Sequence, residues 1–241
     1  MKELPTVEVC FSPRLYDDKL STGKFTTVVV DILRATTSIC AAFNHGVKEI
    51  IPVSGLEEAK QMKNKGFMVA CERNGQVMDF ADIGNSASDF IRDDLVGKQL
   101  VFSTTNGTKT INQARDADEV LIGSFVNLRS LAKYLIVKQE PVVIFCAAWK
   151  NLFNLEDSVF AGALSESLLE GGYTTVCDSA LAAMDLWQNA KDDLYQYLSK
   201  CSHRNRLKHL VSEDDFRYTV TLNSSNVIPV LKGEKLQLLN N

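Results

Sequence analysis

The sequence predicts an α/β protein, a three-layer αβα arrangement built on a mostly parallel sheet. Three observations carry this expectation. The β-branched run Val28-Val29-Val30 stops at Asp31 and passes into Ile32-Leu33-Arg34-Ala35-Thr36-Thr37-Ser38. An apolar run of that kind reads as a buried strand, and the hydroxyls behind it can cap the free N–H groups of a helix. The pattern recurs where Leu100-Val101-Phe102 runs into Ser103-Thr104-Thr105-Asn106-Gly107-Thr108, and where Val142 to Cys146 leads to Asn154-Leu155-Glu156-Asp157. Strand-like and helix-like segments also alternate along the chain, which argues for parallel strands covered by helices on both faces. Open α/β sheets bind ligands beyond the carboxyl ends of their strands, so the three polar clusters point to one site.

The elements follow in order. Val7 to Phe11 and Thr26 to Ile32 read as strands. Thr37 to Asn44 reads as a helix closed by Gly46, glycine being favoured just past a helix end. Glu49 to Val53 is a strand, and Ser54 caps a charged helix from Leu56 to Lys65, stopped by Gly66. Phe67 to Cys71 is the next strand. A polar stretch over 72–88 then breaks the rhythm with two turns, Glu72-Arg73-Asn74-Gly75 and Asp82-Ile83-Gly84-Asn85-Ser86. Long polar loops inside compact domains are commonly functional. Ser86 and Asp89 have capping-box spacing, so a short helix should follow.

Alternation resumes with strand Gln99 to Ser103, helix Thr108 to Arg115 and strand Glu119 to Ile122. Helix Leu128 to Lys138, strand Val142 to Cys146 and helix Leu155 to Glu170 come next, the last ended by Gly171-Gly172. The remainder is mostly helical: Ser179 to Asn189, Asp192 to Lys200 and His203 to Val211. Val227 to Leu231 reads as a last strand, placed at a sheet edge because Pro229 cannot donate to a ladder. Residues 1–241 read as a single α/β domain, with 179–211 either a helical cap or a second lobe.

A formal net charge of -4 provides no global field toward nucleic acid or anionic lipid, so an anionic ligand needs local cations. The six cysteines are widely spaced with no C-x-x-C pair, which reads as reduced, mostly buried thiols in a cytoplasmic protein. Met1 to Pro5 lacks the apolar core of a signal peptide, and no apolar stretch is long enough to span a bilayer. The expected partner is a small anionic substrate, with no nucleic acid and no membrane; a homo-oligomer stays open.

Seven segments, in this order, resemble the 2-phosphosulfolactate phosphatase family. They are Val29 to Ile39; Asn44-His45-Gly46-Val47 with Ile51-Pro52-Val53; Glu72 to Gly75; Asp82 to Ser86; Ser103 to Thr108; Asn154 to Asp157 with Ala161-Gly162; and Ser202-His203. The likeness spans about residues 26 to 231. It implies a magnesium-dependent phosphatase that converts 2-phospho-3-sulfolactate to sulfolactate and phosphate, a step that in some organisms lies on a route to coenzyme M. Three positions depart from the pattern. Ala148 stands where the family tends to have glycine, Ala87 where it often has proline, and Asn205 where many members have a shorter glycine-containing turn.

A phosphate monoester dianion repels nucleophiles, so its hydrolysis needs cations, hydrogen-bond donors and alignment. Asp31 is the first choice for a magnesium ligand, since hard cations take carboxylate oxygens alongside water and phosphate. Either Glu156 or Asp157 supplies the second carboxylate. Adjacent helical residues point about 100° apart, so one of the two reaches the site. Both could instead only complement the helix dipole, and Asp31 could only cap a helix. Arg34 is the candidate for stabilising transition-state charge through a bidentate fork, and Arg73 a second anion contact. Thr36 and Thr37 add hydroxyls. Thr104, Thr105, Asn106, Gly107 and Thr108 read as an anion cradle, with Gly107 free to take positive φ, and Asn85 as a further donor. The loop is not a Walker A loop, because the Lys-Ser/Thr ending is missing.

Two covalent routes fit poorly. Residue 152 is Leu, so Cys146 lacks the Cys-x5-Arg signature, and Leu33 denies Asp31 an Asp-x-Asp partner. Metal-assisted attack by water remains, with Asp31 or Glu72 as base. The basic run His203, Arg204, Arg206, Lys208, His209 reads as a solvated helix face or, alternatively, as a group that steers an anionic substrate. The alternative class is a non-catalytic small-anion binding or regulatory protein, which would have no use for carboxylates beside phosphate donors. A nucleotide-using phosphotransfer enzyme lacks a supporting glycine-rich loop.

Overall fold

The computed structural model describes residues 4–17 and 24–239; the Met1–Glu3 part of the stretch read for a leader lies outside them. Strands β1 (Val7–Cys10), β8 (Val142–Cys146), β2 (Thr26–Val30) and β7 (Glu119–Gly123) pair in parallel in that order. All five residues of β2 are buried, as are all five of β8. Their side chains alternate between two apolar clusters. Val28, Val30 and Ile144 face α4 (Leu128–Lys138), α5 (Leu155–Glu170) and α6 (Asp178–Ala190). Val29, Phe145 and Ile122 face α1 (Ala35–Asn44) and α3 (Gly107–Gln113). The period of two along the strands thus produces the expected αβα layering.

A second parallel group, β3 (Glu49–Pro52), β6 (Gln99–Ser103) and β4 (Met68–Arg73), continues the sheet and carries α2 (Leu56–Asn64) on its outer face. The hairpin β9 (Pro229–Lys232) and β10 (Lys235–Leu238) joins the groups, through Leu121↔Val230 on one side and Leu236↔Ile50 on the other. Six strand spacings separate β2 from β4 along the sheet order, roughly 30 Å if the sheet were flat. Yet Arg34, just past β2, donates from Nη2 to the carbonyl of Gly75, just past β4, at 3.2 Å. The sheet therefore folds over α1, whose residues from Ala35 to Phe43 are all buried. That fold brings the carboxyl ends of both parallel groups together.

Several expectations need correction. Pro229 does not sit in an edge strand; β9 lies inside the sheet order. Pro229 is tolerated because it is the first residue of β9, and β7 pairs only with the next residue, Val230. The third of the late helices is short, α8 (Ser202–Leu207), after α7 (Leu194–Ser199). Unforeseen elements are α9 (Glu213–Thr219), capped by Ser212, together with β10 and the two-residue β5 (Gln76–Val77) that answers β4 across the Asn74-Gly75 turn. Ala180, Ala183, Trp187, Leu198 and Leu207 belong to the same apolar cluster as β2 and α5. Gly162 is what lets α6 in: a Cβ there would stand 1.9 Å from the Ala183 carbonyl oxygen. The short helix after Ser86 is a single 3-10 turn, Ala87–Phe90, and its capping box with Asp89 is formed. All six cysteines are free thiols, five of them buried. No helix among the described residues is long and apolar enough to cross a membrane.

Candidate active site

Asp31 leaves β2 with its backbone fixed locally. Its N–H donates to Thr36 Oγ1 at 3.0 Å and its carbonyl accepts from Thr36 N at 2.9 Å. Its carboxylate is 6% exposed, and among the described residues nothing donates a hydrogen bond to it. Burial raises its pKa to about 8, and the charges of Asp157, Glu72 and Glu156 push the same way while His203 opposes them. Gly107 packs on this group. A Cβ at 107 would meet the Ala35 Cβ at 2.4 Å and Asp31 Oδ2 at 2.7 Å. Gly107 is thus required for close approach, and the expected positive φ is absent.

Arg34 is also buried. Its Nη1 donates to Ser86 Oγ at 3.0 Å and its Nη2 to the Gly75 carbonyl. Burial draws its pKa down, and the carboxylates of Glu72, Asp89, Asp31 and Asp215 counteract this. Both hydrogen-bond partners are neutral, and among the described residues Arg34 makes no ion pair. Glu72 binds the two loops together instead. Oε1 accepts from Thr105 N at 2.7 Å, and Oε2 from Gly75 N at 2.7 Å and Thr105 Oγ1 at 3.2 Å. With three donors already on it, Glu72 is a poor base.

The first turn of α5 adds two fully buried carboxylates with different tasks. Asp157 Oδ1 accepts from Ile32 N at 2.8 Å and Oδ2 from Ala148 N at 3.2 Å, fastening the ends of β2 and β8 to the helix. Burial and Glu156 raise its pKa too. Glu156 Oε1 meets His203 Nδ1 at 2.8 Å, and Glu156 Oε2 is buried with no partner. The His203 ring, 4% exposed, leans on Trp149 with ring centroids 5.2 Å apart.

These groups surround one narrow cavity lined by Asp31, Arg34, Glu72, Asn85, Trp149 and His203, with Thr105 and Asn106 at its side. Asn85 Oδ1 is buried there without a partner. Of the expected site residues, Asp31, Arg34, Glu72, Asn85, Thr105 and Asn106 come together as wall. The others do not reach it. Thr36 and Thr37 are engaged with Asp31 N, the Ile32 carbonyl and Ser124. Thr104 and Thr108 interlock through three hydrogen bonds with each other. With Thr105 N on Glu72, most N–H donors of the expected cradle are consumed inside the loop. Arg73 alternates with Glu72 along β4 and so points the other way, onto the carbonyls of Glu72 and Ser54 and Ser103 Oγ. Glu156 and Asp157, the candidates for the second metal ligand, do not line the cavity and stand behind its wall.

His203 is the residue the sequence reading set aside. The basic run is no uniform solvated face: His203 turns inward, Arg206 covers Trp149, and Lys208 and His209 are exposed. Its signal was the alternation of His203 and Leu207 among charged neighbours, one helical turn apart.

Four buried carboxylates, Asp31, Glu72, Glu156 and Asp157, face one guanidinium and one imidazole. That excess of negative charge in a low-dielectric pocket suits a divalent cation. Among the described residues no group of three or more His, Cys, Asp or Glu side chains is placed to hold a metal ion. Magnesium does not require such a cage, since it keeps waters and takes one or two carboxylates with the substrate phosphate. Asp31 is the carboxylate open to it.

The profile of the 2-phosphosulpholactate phosphatase family matches residues 10–234. The chain belongs to this family. Among its relatives, a probable 2-phosphosulfolactate phosphatase of Caldanaerobacter subterraneus subsp. tengcongensis is 33% identical over 86% of this chain and 87% of its own length. Proteins of the same description from Thermotoga maritima and Clostridium novyi are 34% and 32% identical, over 86% and 88% of this chain and 88% and 91% of theirs. The matched span contains every wall residue of the cavity, from Asp31 to Leu207.

Proposed function

We propose that the protein hydrolyses 2-phospho-3-sulfolactate to sulfolactate and phosphate, with magnesium bound at Asp31. One observation carries the reading at the site. A buried guanidinium held only by neutral partners, Arg34, and a buried carboxylate with no donor, Asp31, face the same cavity without pairing with each other. An anion for the one and a cation for the other complete the charge balance. When bound, the metal would neutralise phosphoryl charge and lower the pKa of a coordinated water.

The chain's own groups do the rest. Arg34 forks onto two phosphoryl oxygens, and Asn85, beside the Ser86 that Arg34 holds, orients the substrate. His203 Nδ1 is held by Glu156, so the ring meets the cavity with Nε2, which accepts the proton of the attacking water. As the new P–O bond forms, the ester P–O bond breaks, and the proton passes to the departing alkoxide. The anion-binding alternative gains nothing from a buried Glu–His pair. Phosphate release from a panel of small phosphomonoesters, with magnesium and with chelator, tests the reading. Turnover of phosphosulfolactate that stops in EDTA is expected; equal turnover in EDTA removes the metal from it. A cytoplasmic location belongs to the same proposal, supported by the six free cysteine thiols.

A further inference from the structure

The catalytic cavity has only about 20 Å³ of room, close to that of a single water. A phosphoryl group seated against Arg34 already takes up more than that room, so the rest of the substrate must extend out of it. A groove of about 320 Å³ lies alongside, sharing Thr105 and Asn106 as a common wall. Lys109 and Gln113, a turn apart on α3, form one bank, and Lys150 and Asn151, from the loop between β8 and α5, form the other. No Asp or Glu lines the groove among the described residues, in contrast to the cavity beside it. Neither lysine makes an ion pair among the described residues.

The loop holds Lys150 in place. Trp149 N donates to the Leu152 carbonyl at 3.0 Å and Leu152 N to the Trp149 carbonyl at 2.9 Å. Lys150 (φ 51) and Asn151 (φ 65) fill the two central positions of this turn, where glycine or asparagine is favoured. A lysine in the left-handed region is an uncommon choice, and such positions gather at ligand sites. Its ammonium sits 5.4 Å from the ring of Trp149, which lines the catalytic cavity.

We propose that this groove is the subsite for the substrate's sulfonate, held between Lys109 and Lys150. The inference rests on the phosphatase reading and deepens it. The carboxylate hangs on the carbon that bears the phosphate, while the sulfonate is one carbon further out. The sulfonate is therefore the group that leaves the cavity when the phosphoryl end is seated. It is ionised at every working pH and suits two point charges better than a neutral wall.

The experiment compares the protein with K109Q, K150Q and the double variant on 2-phospho-3-sulfolactate and on 2-phospholactate, which lacks the sulfonate. The double variant is expected to raise KM for the sulfonate substrate at least tenfold more than for phospholactate, with kcat little changed. Equal effects on both substrates, or no effect, overturn the proposal. Calorimetric titration with sulfolactate and with lactate, run alongside, needs no turnover. The protein should prefer sulfolactate tenfold or more, and the double variant should lose that preference; equal affinities overturn the subsite even if hydrolysis is normal. If neither phosphoester is hydrolysed while the sulfolactate preference and its loss are seen, the catalytic reading fails and the subsite stands.

Discussion

His203 Nδ1 and Glu156 Oε1 stand 2.8 Å apart, both groups buried, with the ring on the wall of the cavity and the carboxylate behind it. A carboxylate in that position fixes the ring's orientation and makes Nδ1 the protonated nitrogen. Glu156→Gln keeps the shape but removes the charge. It is expected to lower kcat about 10²-fold or more with KM less affected, and His203→Ala to lower it about 10²–10⁴-fold. Wild-type kcat in both variants would remove the pair from the chemistry.

Arg34→Lys should lower kcat/KM by about 10²-fold. A lysine offers one point charge where the guanidinium bridges Ser86 and Gly75 and still presents donors to the cavity. Steady-state kinetics on phosphosulfolactate decide it; a change under threefold would make Arg34 a structural link between the two turns.

The raised pKa of Asp31 has a signed consequence. Between its ordinary value of 3.8 and about 8, the folded protein holds a proton that the unfolded chain has released. In chelator, this group therefore makes stability fall as pH rises from about 4 to about 8, with no further change above. Magnesium should restore stability most at the alkaline end, where the carboxylate is ionised. Thermal melts across that range, with EDTA and with magnesium, measure it. Asp31→Asn should abolish turnover and lessen the slope of the EDTA profile, part of which remains because burial also raises the pKa of Asp157; an unchanged slope would place the titration elsewhere.

Ala148 sits at φ 58, buried, with its N–H on Asp157. It also stands where the resemblance leads one to expect glycine. Ala148→Gly should stabilise the protein by about 0.5–1 kcal/mol, because glycine adopts that conformation without the Cβ penalty. Chemical denaturation reads this, and a loss of stability would show that the Ala148 methyl packs better than its backbone suffers.

Gly107→Ala is predicted to act in the opposite direction. Its new methyl would run into the Ala35 Cβ and the Asp31 carboxylate, both on rigid elements. A loss of about 1–3 kcal/mol and a collapse of activity are expected. Full activity would mean that α3 can shift without disturbing Asp31.

Much of the layout was legible in local pattern. The periods of 2 and 3.6 marked α4, β8 and α5 to the residue, while β2 ends at Val30, two residues short of the expected Ile32. Asp31, Arg34 and Asn85 were found because each follows a strand or closes a turn. Two arginines of similar promise were not separable. Arg34 lines the cavity and Arg73 does not, because Arg73 and Glu72 take opposite faces of β4 and the local sequence does not say which face is turned to β2. β9 was misplaced for a related reason: proline marks a weak point in a ladder, and an interior strand paired through a single neighbouring residue tolerates one.

The chain's own order of residues was enough to predict the strands and helices of the parallel groups and the family, but not α9, β5 or β10. The composition of the active centre was decided only by the folded sheet. Arg34 meets Gly75 and Ser86, and Glu156 meets His203, across separations of 41, 52 and 47 residues. Helical and strand periodicity reports which face of an element is apolar over a few residues. It carries no information about which distant loop arrives at that face, which here depends on a buried α1 around which two parallel groups close.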